Sequence, residues 1–247
     1  MTVGRPESGT GHAGVTVVRT DRPGHGWFGS PGETIVVIDV IRAFTTAAVL
    51  LARGASHIVC VPDATHARRG TPDLAPDHLI VGEQEDPPFP EVDLPNSPSA
   101  ALTTEVSGRP VTLFTANGTR ALARVPAGAT ILATAVVNAR ATADWILANR
   151  RDALARLVVT DPHGPEDFAC AAYLRGLLTG GEADEAGLQA TVTAAAQAHA
   201  RRWRAHVSPA QWLAFLADVE ICSRPNAVPV AALGTRDGPA RVVLRRA

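Results

Sequence analysis

The stretch Ile35-Val36-Val37-Ile38, followed by Asp39, decides the fold of this sequence. Consecutive branched apolar residues are apolar on both faces, which is typical of a strand buried between two helical layers. Outward from this stretch, similar short runs alternate with alanine-rich segments of helical pattern along most of the chain. The alternation predicts an α/β fold, a three-layer α/β/α sandwich with a mainly parallel or mixed central sheet.

The predicted elements cover most of the chain. The predicted strands are Val15–Arg19, Thr34–Val40, His57–Val61, His78–Gly82, Val111–Thr115, Thr130–Ala133, Leu157–Thr160 and Val228–Leu233. The predicted helices are Thr45–Arg53, Ser97–Thr104, Gly118–Arg124, Ala135–Arg151, Glu166–Leu178, Glu185–His206 and Pro209–Glu220.

Length predicts the domain organisation. A chain of 247 residues favours one α/β domain over residues 15–247. Residues 1–14 are small and polar and lack the apolar segment of a signal peptide, so we expect a disordered leader. No apolar run is long enough to span a bilayer, so we expect no membrane partner and a cytoplasmic location. The alanine-rich helices suit packing within one chain or between copies, which keeps a homo-oligomer among the expected states.

Charge and residue usage exclude several classes of function. The formal net charge is -1, which argues against a nucleic-acid partner. All 23 basic side chains are arginine, so a Walker lysine, a Schiff-base lysine and a pyridoxal phosphate anchor are excluded. The three cysteines form no CxxC pair, which argues against a disulfide framework or a structural zinc site.

The first candidate site follows the predicted strand Thr34–Val40. Ligands of open α/β sheets bind beyond the carboxyl ends of the strands, where Asp39 and then Arg42 stand. A carboxylate there suits a hard divalent cation, and the planar guanidinium suits phosphate or sulfonate oxygens. Thr45 and Thr46 add hydroxyls at the start of a helix, where they suit an anion. A structural role, an Asp–Arg ion pair with a threonine helix cap, fits the same residues about as well.

Two further strand ends carry candidate residues. After Val111–Thr115, the turn of Asn117, Gly118 and Thr119 suits an anion-binding nest of backbone amides, or an ordinary strand-to-helix junction. After His78–Gly82, Glu83 suits a metal ligand or a general acid or base.

Weaker candidates lie near other predicted helix starts. Asn96 and Ser97 precede a helix, where we expect them to cap it. Asn138 follows the predicted strand Thr130–Ala133. Glu166 and Asp167 begin a helix, where acidic residues also interact favourably with the helix dipole.

At these positions the sequence resembles the 2-phosphosulfolactate phosphatase family, the phosphatases of coenzyme M biosynthesis. The resemblance runs from about Val15 to Val230, and it rests on the order and spacing of several motifs. The matching segments are Asp39–Thr46, Gly82–Gln84, Leu94–Pro98 and Ala116–Ala121, together with Asn138 and Glu166-Asp167.

The resemblance implies a Mg²⁺-dependent phosphatase that converts 2-phosphosulfolactate to sulfolactate and phosphate. In that case Asp39, Glu83 and Asp167 would hold Mg²⁺, and Asp39, Arg42 and Glu83 would be the catalytic residues. The substrate-binding residues would be Thr45, Thr46, Asn96, Ser97, Asn117, Gly118, Thr119, Arg120 and Asn138. Attack by water and a covalent phospho-enzyme both stay open.

Two departures from the family pattern keep alternatives open. Gln84 stands where the family usually has arginine, and Glu85 and Asp86 stand in what is usually a glycine-rich stretch. The lower positive charge motivates a different phosphorylated acid as substrate. A non-catalytic homologue that binds an anionic metabolite is the alternative of another class.

Overall fold

The computed structural model describes residues 14–20, 29–68, 77–83, 91–151 and 153–247. The strands are β1 (Gly14–Arg19), β2 (Thr34–Ile38), β3 (His57–Val61), β4 (Leu79–Gly82), β5 (Leu94–Pro95), β6 (Pro110–Phe114), β7 (Thr130–Thr134), β8 (Leu154–Val159), β9 (Ala232–Arg236) and β10 (Val242–Arg246). The helices are α1 (Ala43–Ala52), α2 (Pro98–Thr103), α3 (Gly118–Leu122), α4 (Ala139–Asn149), α5 (Pro165–Thr179), α6 (Glu185–Trp203) and α7 (Pro209–Cys222). Short 3₁₀ turns occupy Ala64–Ala67, Val136–Asn138 and Arg204–His206.

The strands form one mixed sheet in the order β1-β8-β2-β7-β9-β10-β3-β6-β4-β5. Strands β1, β8, β2 and β7 are mutually parallel, as are β3, β6, β4 and β5. Between these halves, β9 runs antiparallel to β7, β10 antiparallel to β9, and β3 antiparallel to β10. The α/β prediction of a mainly parallel or mixed sheet flanked by helices is confirmed.

Because three antiparallel pairings separate the halves, β2 and β6 would point in opposite directions in a flat sheet. Natural sheets twist by about 20–25° per strand, so the five steps from β2 to β6 accumulate roughly 100–125°. The two directions then differ by about 55–80° rather than by a full reversal. Twist therefore allows the carboxyl ends of both halves to face one shared space.

The central strand β2 is buried along its whole length, as its sequence predicted. Its side chains join a core of aliphatic residues that includes Leu50 of α1, Leu132 of β7 and Leu157 of β8. Helix α1 is also buried for nearly all of its length, since nine of its residues are buried. The loop between β2 and α1 is therefore fixed from both sides by packed elements.

The carboxyl-terminal strands differ from the prediction. The predicted strand Val228–Leu233 is wrong in its bounds, because the strand is Ala232–Arg236, and β10 (Val242–Arg246) was not predicted at all. Only the first three residues of β10 are apolar, and its last two are arginines with exposed side chains. The predicted leader, residues 1–14, lies outside the described residues apart from Gly14, where β1 begins. Among the described residues, no helix is both long and apolar enough to cross a membrane.

Candidate active site

A cavity of about 410 Å³ opens at the carboxyl ends of strands from both halves of the sheet. Strands β2, β4, β5, β6 and β8 contribute residues at or just after their ends, while α5, α6 and α7 supply the remaining wall. The lining residues are Asp39, Ile41, Arg42, Gly82, Glu83, Pro95, Asn96, Ser97, Asn117, Thr160, Asp161, Glu166, Asp167, His199, Trp203, Gln211, Ala214, Phe215 and Asp218.

Asp39 follows β2 and is only 6% exposed. Its Oδ1 accepts a hydrogen bond from the backbone N–H of Ala43 at 3.1 Å, and the Gly118 N–H donates to the same carboxylate. Burial, followed by repulsion from Glu83 and then Glu166, raises the pKa of Asp39 to about 7, against the two hydrogen bonds that lower it. Near neutral pH this carboxyl group is therefore poised between its charged and neutral forms.

Asp167, in the first turn of α5, ties that helix to the strand ends. Its Oδ1 accepts from the Val40 N–H at 2.9 Å, and its Oδ2 accepts from the Asp161 N–H at 3.1 Å and the Thr160 hydroxyl at 3.2 Å. Burial and then the neighbouring Asp39 hold the pKa of Asp167 well above its ordinary value. Asp167 is therefore fixed beside Asp39 by contacts to the chain on both sides of the site.

Glu166 and Glu83 complete the acidic side of the cavity. Burial, opposed in part by a backbone hydrogen bond, raises the pKa of Glu166, and the nearby Asp161 raises it further. Glu83 follows β4, and its Oε2 accepts from the Ala116 N–H at 2.9 Å. That bond joins the end of β4 to the loop between β6 and α3.

These acids suit Mg²⁺ by their chemistry. Within the described residues, no group of three or more histidine, cysteine or acidic side chains is arranged to hold a metal ion. Mg²⁺ does not need such a cage, because it usually keeps several waters and takes one or two carboxylates plus substrate phosphate oxygens. The Oδ1 of Asn96 is buried in the cavity wall and has no hydrogen-bond partner in the described part of the chain, so an additional oxygen ligand is present. The available donors are therefore hard oxygen atoms, as Mg²⁺ requires.

Arg42 lines the same cavity as the acids. Its Nη1 donates to Asp218 of α7 at 2.6 Å, so its ion-pair partner is Asp218. The guanidinium carbon lies 5.5 Å from the ring centroid of Phe215 and 6.0 Å from that of Trp203. One cation and two aromatic rings therefore form this part of the cavity lining, and its chemistry differs from that of the acidic residues.

His199 of α6 also lines the cavity. Its Nδ1 lies 3.3 Å from Arg202 Nη2, and because a guanidinium only donates, Nδ1 is the acceptor and the proton sits on Nε2. Burial first, then the charges of Arg202 and Arg42, lower the pKa of His199. His199 is therefore a neutral donor through Nε2 at physiological pH.

Eight of the sequence-predicted residues meet at this cavity. They are Asp39, Arg42, Glu83, Asn96, Ser97, Asn117, Glu166 and Asp167. Ser97 also caps α2 by accepting from the Ala100 N–H, which confirms the capping prediction for that residue. The strand-end rule therefore located the acidic side of the site.

Other predicted substrate contacts lie outside the cavity lining. Thr45 is fully buried and donates to the Val40 carbonyl at 2.7 Å, and the fully buried Thr119 hydroxyl accepts from the Thr115 N–H at 2.8 Å. The side chain of Asn138 accepts from the Ala135 N–H and donates to the Val230 carbonyl. Thr45 and Thr119 serve the backbone of their own turns, and Asn138 also joins its turn to Val230. The contact of these residues with substrate stays a prediction.

Three more predicted contacts are also placed elsewhere. Thr46 is fully buried, and its hydroxyl has no hydrogen-bond partner among the residues that the structure describes. Arg120 is exposed and its Nε donates to the Pro62 carbonyl at 3.1 Å. Gly118 is buried behind Asp39 and contributes its backbone N–H to that carboxylate rather than a contact in the cavity lining.

Sequence reasoning missed the residues that α6 and α7 contribute. His199, Trp203, Phe215 and Asp218 follow no strand, so the strand-end rule does not reach them. Asp218 carried one usable signal, since it is an acidic residue in an otherwise apolar stretch of a helix. Such a residue needs a partner if its face is buried.

Comparisons with known proteins show which family the chain is similar to. A family model described as 2-phosphosulpholactate phosphatase matches residues 27–235. A Bacillus subtilis (strain 168) protein named "Probable 2-phosphosulfolactate phosphatase" is 32% identical over 160 residues, which span 64% of this chain and 69% of the relative. A Prochlorococcus marinus (strain MIT 9303) protein of the same name is 33% identical over 182 residues, spanning 71% of this chain and 74% of the relative.

Proposed function

The chain belongs to the 2-phosphosulpholactate phosphatase family, and on that premise we propose that it hydrolyses 2-phosphosulfolactate to sulfolactate and phosphate with the help of Mg²⁺. The observation that carries the proposal is the position of Asp39. This buried carboxyl group interacts with Asp167, Glu166 and Glu83, and Arg42 lines the same cavity. The site therefore concentrates acidic groups whose charged forms a divalent cation would favour, together with a cation suited to phosphate.

In this proposal Asp39, Glu83 and Asp167 would share the Mg²⁺ ion, one or two of them as direct ligands and the rest through its water shell. Each carboxylate oxygen that accepts an N–H bond has a second lone pair, so these backbone bonds orient the carboxylates without using up their capacity as ligands. A bound ion would neutralise charge on the phosphoryl oxygens and would make a nearby water more acidic.

The protein's own groups orient the ester. Arg42 presents further N–H donors beyond the one bound to Asp218, and these suit phosphoryl or sulfonate oxygens. Asn96, Ser97 and Asn117 also line the cavity and offer polar groups to the ester. His199 can donate through Nε2 to an anionic oxygen or to the leaving group.

In the reaction a new bond forms between phosphorus and oxygen, the ester P–O bond breaks, and the leaving oxygen takes up a proton. With attack by water, the nucleophile's proton goes to a basic group of the site. The pKa of Asp39, raised to about 7, belongs to the metal-free site, and a bound cation would favour the charged form of this carboxyl group. A covalent phospho-enzyme is the other route, in which a carboxylate oxygen bonds to phosphorus before water does.

The test is phosphate release from 2-phosphosulfolactate and 2-phospholactate, each with Mg²⁺ and with EDTA. Mg²⁺-dependent release that favours the sulfonate is the expected result. Release from the carboxylate analogue alone would change the substrate and keep the chemistry, in line with Gln84, which lies outside the described residues. No release from either ester by folded protein would contradict the proposed reaction and favour a different ester or a non-catalytic anion binder.

A further inference from the structure

Asp218 of α7 is a fully buried carboxylate that joins three parts of the cavity wall. Its Oδ1 accepts from the Ser97 hydroxyl at 2.7 Å, the Ser99 hydroxyl at 2.6 Å and the Ser99 N–H at 2.9 Å. Its Oδ2 accepts from Nη1 of Arg42 at 2.6 Å. Helix α7, the first turn of α2 and the loop after β2 therefore meet at one side chain.

The two oxygens of Asp218 have different partners, since Oδ1 binds the serines and Oδ2 binds Arg42. Three neutral donors hold Oδ1, so the carboxylate is fixed by Ser97 and Ser99 without any help from Arg42. A buried ionised carboxylate is tolerated only when it is paired and hydrogen-bonded, and here the charge-assisted bond to Arg42 completes that requirement. Oδ2 is thus a rigid anchor to which the guanidinium is attached.

Arg42 needs an anchor because arginine has many rotamers. Fixing such a long side chain costs rotamer entropy, which weakens binding when the cost falls at the moment a ligand arrives. Here the guanidinium is already bounded by Asp218 and by the rings of Phe215 and Trp203, and its side chain is 19% exposed. The hydrogen bond to Asp218 uses Nη1 of the guanidinium. Because Arg42 lines the cavity, its other N–H groups are the donors that a ligand in the cavity would meet.

We propose that Asp218 is a positioning residue that holds the Arg42 fork in the orientation that receives the anionic oxygens of the substrate. The inference rests on the proposed function, in which Arg42 binds those oxygens. Asp218 is held by the start of α2 and in turn holds Arg42, so helix α7 contributes to catalysis through these contacts. Asp218 itself does not touch the reacting atoms.

The test is a double-mutant cycle of Asp218→Asn and Arg42→Ala. Asparagine keeps the shape of the side chain and its acceptor for the serines, and it removes the charge that holds Arg42. We expect Asp218→Asn to lower kcat/KM by roughly 10- to 100-fold in the wild-type background. In the Arg42→Ala background the same change should cost less than about threefold, because the group through which it acts is absent. Equal losses in both backgrounds would overturn the inference and leave Asp218 a structural link.

A second readout does not depend on turnover. Titration of the Mg²⁺-loaded protein with inorganic phosphate should show weaker binding for Asp218→Asn and Arg42→Ala alike. If the wild-type protein hydrolyses no ester, the proposed reaction fails while this titration still tests Asp218. Wild-type phosphate affinity in Asp218→Asn, or no phosphate binding by the wild type, would overturn the inference.

The matched control is Glu220→Gln. Glu220 lies on the same helix and pairs with Arg224, but both side chains are more than half exposed. Like Asp218→Asn, this variant removes a carboxylate charge that pairs with an arginine, but it changes no residue of the cavity lining. Its kcat/KM and phosphate affinity should equal those of the wild type, and a loss like that of Asp218→Asn would show that the effect belongs to α7 generally and overturn the inference.

Discussion

The backbone N–H of Gly118 donates to the carboxylate of Asp39, and the two residues are so close that a β-carbon at position 118 would lie 2.7 Å from Oδ2 of Asp39. The same added atom would lie 3.1 Å from Cζ of Phe44 and 3.2 Å from Cβ of Ala43. Gly118 begins α3, and Asp39 follows β2 in the other half of the sheet. The absence of a side chain at this one position therefore lets the two halves of the sheet meet at the carboxylate.

Gly118→Ala should lower turnover by roughly 10-fold or more, because a displaced catalytic group costs activity steeply. Alanine favours a helix over glycine by about 1 kcal/mol, so propensity alone would stabilise the variant. The steric contact with Asp39 opposes that gain. We expect reduced kcat/KM and weaker Mg²⁺ binding in a protein that still unfolds cooperatively, measured by phosphate release and by thermal melting.

Gly181→Ala is the matched control for this change. The nearest atom to a β-carbon at position 181 is the Thr179 hydroxyl oxygen at 3.4 Å, an ordinary contact, and the residue lies outside the cavity. Activity of Gly181→Ala should match the wild type. Full activity of Gly118→Ala would show that Asp39 can move without consequence and would contradict its assigned role.

The acidic side of the site was predictable because a simple rule connects sequence to position. A buried strand ends at Ile38, so Asp39 has to emerge at the carboxyl edge of the sheet, and the same holds for Glu83 after β4. The rule does not depend on which strands are neighbours. It worked although the halves of the sheet run in opposite directions, because the twist of the sheet allows both sets of carboxyl ends to face one space.

The rest of the site needed information that local sequence does not contain. The reversal between the halves depends on β10, which has only three apolar residues before its exposed arginines. The hydroxyls of Thr45 and Thr119 were predicted to bind an anion, yet each satisfies a nearby backbone group. Composition cannot distinguish these roles, since the same short side chains suit both. Asp218 became meaningful only when packing placed it beside Arg42.

Asp39→Asn should abolish Mg²⁺-dependent phosphate release while the protein stays folded. The amide keeps the size of the side chain but removes the negative charge that would hold the cation. The exposed Asp144 on α4 provides the control, since Asp144→Asn removes an equal charge far from the cavity lining and should leave activity unchanged. Retained activity in Asp39→Asn would eliminate its role as metal ligand and catalytic residue.

The raised pKa of Asp39 predicts a pH dependence of stability in the metal-free protein. The unfolded chain releases this proton near pH 3.8, whereas the folded protein keeps it until about pH 7. Between these values the folded state binds more protons, so the free energy of unfolding falls as pH rises from about 4 to 7. In EDTA, the Tm of the wild type should fall across this window by roughly 2–4 °C for each kcal/mol lost.

Other groups titrate over the same range. The pH dependence of the wild-type Tm is therefore compared with that of Asp39→Asn. The variant lacks this proton and should show a shallower fall in Tm between about pH 4 and pH 7. Identical slopes for the two proteins would show that the pKa of Asp39 is not raised in the folded state.

Glu83→Gln tests whether the charge of Glu83, rather than its hydrogen bond, serves the site. Glutamine keeps an oxygen that can accept from the Ala116 N–H, so the link between β4 and the β6–α3 loop should survive. The lost charge should weaken Mg²⁺ binding by about 10-fold, because the cation then faces fewer carboxylates. Calorimetric titration with Mg²⁺ measures this change, and melting curves report the fold.

The matched control is Glu105→Gln, since Glu105 accepts from the Ser107 N–H at 2.9 Å on the exposed surface outside the cavity. Weaker Mg²⁺ binding in Glu83→Gln alone assigns the effect to the site, whereas equal affinity in both variants would remove Glu83 from the metal ligands and leave it as a tether between two loops.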